Sequence, residues 1–223
     1  MDLKLFLREL KANGWSYLQP RSTTSPNIIF GALGPPLPSR RDTDFIDLRP
    51  RKKDSAPFAS LSSLVGMAKQ PMHTDAAYHP LPPHYLVFQC LEPGEATCPT
   101  HVWAVDVPRL RKDRPEILTT PNWVTRGGGL APFYCSAMQV QSGEVRVRFD
   151  PLCMAIGGDC HAAAKAAQIL RTYSKKSTVE WRRGAFLIMD NWRCLHARGP
   201  GGHNAPSRLL RRWNIGVGHG LGV

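Results

Sequence analysis

The sequence predicts a mainly β fold with flanking helices, an antiparallel double-sheet jelly roll. Three observations predict it. Many short strand-like runs, apolar or alternating, are separated by turn signals. Helical patterns are few. Neither an internal repeat nor a low-complexity tract is present. At 223 residues the chain is long enough to bury a sizeable core, and residues 1–223 are expected to form a single domain.

Residues 2–13 read as a helix. Asp2 can cap it, Leu3, Phe6, Leu7 and Leu10 form one apolar stripe, and Gly14 stops it. Residues 19–27 and 34–41 are rich in Pro, Ser and Arg and read as loops. Residues 45–48 form a short strand. Residues 85–91 (YLVFQCL) are apolar on both faces, which places them centrally in a sheet. Residues 105–119 read as a polar helix that Pro108 and Pro115 weaken. Gly127, Gly128 and Gly129 form a turn. Residues 131–140 and 145–149 pair as a hairpin around Ser142 and Gly143, and Val145 and Val147 alternate with Arg146 and Arg148, leaving one face wet. The clearest helix is 161–173, HAAAKAAQILRTY, rich in alanine. Strands at 178–182, 186–190 and 209–217 complete the set.

Composition narrows the function. Hydrophobic content of 42% and charged content of 21% suit a soluble globular protein. No apolar run approaches the roughly 20 residues of a spanning helix. The start, MDLKLFLRELKANG, is too polar for a signal peptide, so a cytoplasmic location is expected. Six cysteines form no C-x-x-C pair and are expected to be reduced thiols; Cys98 with His101 and Cys160 with His161 lack a second pair at zinc-finger spacing. The formal charge is +12, with carriers spread over Arg40-Arg41, Arg51 to Lys53, Arg109 to Arg114, Lys175-Lys176, Arg182-Arg183 and Arg208 to Arg212. Such a surface attracts small anions. Without a base-reading motif, a nucleic-acid partner is not expected.

Two distant segments carry the chemistry. PMHTDAAY supplies His73 and Asp75, which share a side of an extended segment. GAFLIMDNWRCLHARG supplies His196, following the buried-strand pattern 186–190. Two imidazoles and one carboxylate hold non-haem Fe(II) on one face and leave the opposite face open. A third segment, SRLLRRW, adds Arg208, Arg211 and Arg212, whose planar forks suit a carboxylate. Asp190 and Asn191 are polar groups at a strand end, able to orient the turn or a ligand.

In order and texture, PMHTDAAYHPLPPHYLVFQCLEPGEAT, GAFLIMDNWRCLHARG and RLLRRW resemble the taurine dioxygenase and 2,4-dichlorophenoxyacetate dioxygenase family over about residues 60–217. Asp75 and His196 are 196 − 75 = 121 residues apart, a long gap that is similar to this family's. The resemblance implies a cupin-like double-stranded β-helix that uses Fe(II), 2-oxoglutarate and O₂, with release of succinate and CO₂. It implies His73, Asp75 and His196 as metal ligands, and Thr97 and Arg208 for the 2-oxoglutarate carboxylate. Arg212 matches a second arginine of the family, on the strand face of Arg208. Two departures stand out: Ala96 replaces a common aspartate, and GPGGHNAP looks inserted between His196 and Arg208. They leave Thr100 as an alternative to Thr97, and Arg211 as an alternative to Arg208. Tyr78, His79, Arg193 and Arg198 lie near the ligands in sequence. Of these, Tyr78, Arg193 and Arg198 join Arg212 as candidates for a substrate that is small and anionic or zwitterionic, such as an amino acid derivative. Hydroxylation is the expected outcome, with desaturation or cleavage using the same machinery; the carboxylate ligand Asp75 argues against halogenation. A homo-oligomer is compatible with the sequence. Two rival readings are a jelly-roll metalloenzyme that needs no 2-oxoglutarate and a degenerate dioxygenase fold used for binding.

Overall fold

The computed structural model describes residues 3–19, 25–38, 43–57, 60–141 and 143–216. Helix α1 (Leu3–Asn13) buries Phe6 and Leu10. It ends at Gly14, whose φ of +77° a side chain would strain. Strand β1 (Trp15–Leu18) follows. Helix α2 (Pro26–Leu33) begins inside a predicted loop and corrects it. The Ser25 side chain accepts from the Asn27 N–H, and Pro26 starts the first turn, where its missing N–H costs nothing. Next come β2 (Ile46–Leu48), the short α3 (Leu61–Val65), β3 (Tyr85–Glu92) and β4 (Thr100–Val105), the last not foreseen.

The predicted helix over 105–119 is two pieces, α4 (Val107–Asp113) and α5 (Glu116–Thr119). Arg114, in a left-handed conformation, and Pro115 separate them. Strands β5 (Trp123–Gly127) and β6 (Leu130–Cys135) form a hairpin over the glycine triplet. Strands β7 (Met138–Gln141) and β8 (Glu144–Val147) form another. The single predicted arm over 131–140 is therefore divided between two hairpins. Then follow β9 (Met154–Ile156), α6 (Ala162–Thr172), β10 (Ser174–Val179), β11 (Phe186–Asp190), β12 (Cys194–Arg198) and β13 (Leu209–Ile215). Strand β10 starts earlier than the predicted 178–182. The Asp2 cap, Ser142 and Val217 lie outside the described residues.

Two antiparallel sheets face each other. The larger has the order β1-β11-β3-β13-β2 and the smaller β10-β4-β12. Period-two alternation sorts their side chains into layers. Leu86, Phe88, Cys90, Leu187, Met189 and Leu210 point inward and meet Val102, Val179, Trp181 and Cys194. Their neighbours Val87, Phe186, Ile188, Trp213 and Ile215 point outward and pack on Phe6 and Leu10 of α1 and Ile29 and Leu33 of α2. Behind the smaller sheet, Trp103, Val105, Leu195 and Ala197 pack against Leu110, Leu118, Ala162, Ala166 and Leu170 of the three later helices. The result is a mainly β double-stranded β-helix with helices on both outer faces, as the sequence predicts. Among the described residues no helix is long and apolar enough to cross a membrane.

Leu187 is fully buried between the sheets. We expect Leu187→Ala to lower the unfolding free energy by about 2–5 kcal/mol in equilibrium denaturation. A change near zero would mean that the sheets do not pack there.

Candidate metal centre and anion pocket

Strand β12 places His196 mid-strand rather than beyond one, as the sequence reading had it. His73 pairs with it as an isolated antiparallel bridge. The His73 N–H donates to the His196 carbonyl at 3.0 Å, and the His196 N–H donates to the His73 carbonyl at 2.8 Å. The rings therefore lie side by side, with centroids 4.4 Å apart. Nδ1 of His73 is 3.0 Å from the Pro71 carbonyl oxygen. That oxygen only accepts, so the proton sits on Nδ1 and the Nε2 lone pair is free for a metal. Nε2 of His73 lies 3.6 Å from Oδ1 of Asp75, and Nε2 of His196 lies 3.8 Å from the same oxygen.

The Asp75 segment is held from several sides. Oδ1 of Asn191 accepts from the Asp75 N–H at 2.9 Å, while its Nδ2 donates to the carbonyls of Asp75 (3.1 Å) and Pro83 (3.0 Å). Thr74 is tied by its N–H to the Phe149 carbonyl at 2.7 Å. The Arg148 guanidinium, buried rather than on the expected wet face, donates to the carbonyls of Ala77, His79 and Pro80. These ties support Ala76 at φ 54°, a strained value for a residue with a side chain.

Burial opposes charge on all three ligands, and their neighbours sort them. Against that burial, Arg212 holds the Asp75 carboxyl well below the usual carboxylate range. Burial, with the charge of His73, pushes His196 down to about 3. For His73, burial pushes the pKa down, but the Asp75 carboxylate beside it outweighs that and raises it. An ionised carboxylate and a neutral imidazole are the forms that bind metal. Nearby, burial raises Asp150, which lies within electrostatic reach of His73 and Asp75.

Arg208 lies on the inner side just before β13. It is buried and donates from Nη2 to Oγ1 of Thr100 at 3.2 Å, while its Nε has no partner among the described residues. The groups that perturb it are Cys98, Arg198 and Cys90, none of them a carboxylate. A buried guanidinium without an anion is costly, so the pocket suits an anionic ligand. The hydroxyl beside it belongs to Thr100, which also accepts from Nε1 of Trp181 at 3.0 Å. Thr97 is exposed and corrects the family-based expectation. The turn before β4 swings Thr97 outward, and Thr100 starts the strand that faces Arg208.

The remaining candidates separate. Nη1 of Arg212 hydrogen-bonds to Oδ2 of Asp75. Arg211 points to the other strand face and forms a bidentate pair with Asp47 at 2.8 and 3.0 Å. Arg198 is buried, but its guanidinium clasps the carbonyls of Gly66 and Ala68. Arg193 reaches the Lys11 carbonyl at 3.0 Å, at the end of α1. Tyr78 packs against Gly127, whose Cβ position lies 3.4 Å from its ring. Arg193 and Arg198 are thus engaged in holding backbone. The sequence reading put Arg148 on a wet strand face and passed over Asp150. Their signal was RFD, two charged residues closing an otherwise alternating strand.

His73, Asp75 and His196 each offer a ligand atom, and these atoms lie within 4.8 Å of one another. Metal–ligand bonds near 2.1 Å place ligand atoms up to about 4 Å apart, so the observed 3.6 and 3.8 Å fit one ion. We expect Asn191→Ala to weaken Mn(II) binding about 10–100-fold in calorimetry. We expect Thr100→Val, but not Thr97→Val, to weaken 2-oxoglutarate. Loss in Thr97→Val alone would return the role to Thr97.

Comparison with known proteins gives the family and the fold. The model of the taurine catabolism dioxygenase TauD, TfdA family matches residues 29–213. No curated protein sequence matches the chain. Among solved structures, an asparagine oxygenase in complex with Fe(II), 2S,3S-3-hydroxyasparagine and succinate is similar at a TM-score of 0.70 and 17% identity, over 97% of this chain and 78% of that one. The non-heme iron oxygenase OrfP, in complex with Fe, succinate and (3S)-hydroxy-L-Arg, is similar at 0.69 and 20% identity, over 97% of this chain and 80% of its own. OrfP with Fe and alpha-ketoglutaric acid gives 0.67 at 20% identity, with the same coverage. The chain belongs to the TauD, TfdA family and is an Fe(II)/2-oxoglutarate-dependent dioxygenase.

Proposed function

We propose that this enzyme hydroxylates a small zwitterionic molecule, an amino acid or a derivative of one. The observation that carries the reading is the charge arrangement at the centre. Arg212 contacts the Asp75 carboxylate, and Asp150 lies within electrostatic reach of His73 and Asp75. A cationic fork suits a substrate carboxylate, and a buried carboxyl suits an ammonium or guanidinium. The asparagine and arginine products held by the two similar oxygenases support an amino-acid substrate.

His73, Asp75 and His196 would hold Fe(II). With 2-oxoglutarate and O₂, the metal supplies the oxidation, and succinate and CO₂ are released. The chain's own work is placement. Arg208 and Thr100 bind the distal carboxylate of 2-oxoglutarate through charge-assisted and hydroxyl hydrogen bonds. Phe88, whose ring meets His196 edge-on at 5.6 Å, and Val102 and Trp181 keep the inter-sheet space apolar. Asn191 and Arg148 keep the Asp75 turn from drifting. Arg212 and Asp150 orient the substrate so that one C–H bond faces the open side of the metal.

The test is succinate release screened over free amino acids, sulfonates, aryloxy acids and neutral compounds. We expect turnover with an amino acid. Loss of a charge-assisted pair worth about 1.5–3 kcal/mol makes Arg208→Ala bind 2-oxoglutarate at least about tenfold more weakly. Turnover only on neutral compounds or nucleic acid would overturn the substrate class. Substrate oxidation without succinate would favour a metalloenzyme that needs no 2-oxoglutarate.

A further inference from the structure

The two oxygens of Asp75 have different surroundings. Oδ1 faces both imidazoles, at 3.6 Å from Nε2 of His73 and 3.8 Å from Nε2 of His196. Oδ2 faces away from them, into the Arg212 guanidinium. Arg212 is well placed to hold it. It lies on β13 and is paired on one side with Phe88 of β3 and on the other with Ile46 of β2, so its backbone is fixed within the larger sheet. Both side chains are largely buried, at 16% and 11% exposure, so little water competes for the contact.

A carboxylate left free can bind a metal through both oxygens. Six-coordinate Fe(II) held by two imidazoles and one carboxylate oxygen keeps three open positions. A second carboxylate oxygen would take one of them. We propose that Arg212 is a positioning residue for the metal ligand: it holds Oδ2 of Asp75 away from the ion, enforces binding through Oδ1 alone, and so preserves the full set of open positions. This rests on the metal-centre reading above and adds a second duty to an arginine first considered for substrate. Nη1 serves Asp75, whereas Nε is buried without a partner among the described residues.

The test uses Mn(II), which shares the ligand preferences of Fe(II), with neither 2-oxoglutarate nor substrate present. Affinity is read by calorimetry, and metal-bound water by proton relaxation. We expect the wild type to bind one Mn(II) with about three exchangeable waters. We expect Arg212→Ala to bind about 10–100-fold more weakly, with about two waters. Arg212→Lys keeps a cation near Oδ2 and should recover part of the affinity and the third water; it also guards against an alanine variant that fails to fold. Wild type and both folded variants with equal affinity and equal water count would overturn the inference and leave the metal centre intact. Failure of the wild type to bind Mn(II) would overturn the metal-centre reading itself.

Discussion

The backbone bridge between His73 and His196 joins two segments far apart in sequence, and the site depends on it. Each histidine donates its N–H to the other's carbonyl. That pairing sets the rings side by side before any ion is considered, and Asp75 needs only a short turn to bring its carboxylate beneath both. The turn is strained at Ala76. It persists because Asn191, Arg148 and the Phe149 backbone satisfy the polar groups around it. The preorganisation of the ligands thus comes from the polar frame behind them as much as from the ligands themselves.

Charge is distributed unevenly in the interior. Asp75 is buried and ionised because Arg212 stands against it. Arg208 and Arg198 are buried close enough to repel each other. Arg198 spends its hydrogen bonds on backbone carbonyls, which anchor the strand of chain leading to His73. Among the described residues Arg208 has a single hydroxyl partner. A fold tolerates such an arginine when an anionic ligand completes it, and a dicarboxylate such as 2-oxoglutarate has the charge to do so. Arg208 lies just before β13 and Arg212 within it, so one stretch of chain brings both guanidinium groups to the larger sheet.

Much of this was legible in the sequence. Central strands 85–91 and 186–190 were visible because they are apolar on both faces, and the structure buries them between helices and the second sheet. The H-x-D pair, His196 and the two-residue alternation that separates Arg211 from Arg212 were visible for the same reason: short-range geometry dictates them. What stayed hidden depends on tertiary context. Helix α2 lies beside a Pro- and Ser-rich stretch, and its stability comes from Ile29 and Leu33 packing on the larger sheet. Strand β4 was missed because Thr100 and His101 open it with polar residues whose partners, Arg208 and Thr178, come much later in the chain. Thr97 came from the family resemblance, with Thr100 as the alternative. Arg148 read as a wet-face residue because alternation cannot report three carbonyls arriving from another loop.

His73, Asp75 and His196 are read as one metal site. Anaerobic calorimetric titration with Fe(II), comparing the wild type with a folded His196→Ala variant, tests it most directly. We expect one ion per wild-type chain, bound more tightly when 2-oxoglutarate is present, and loss of that binding in the variant. Equal Fe(II) binding by both proteins would contradict it.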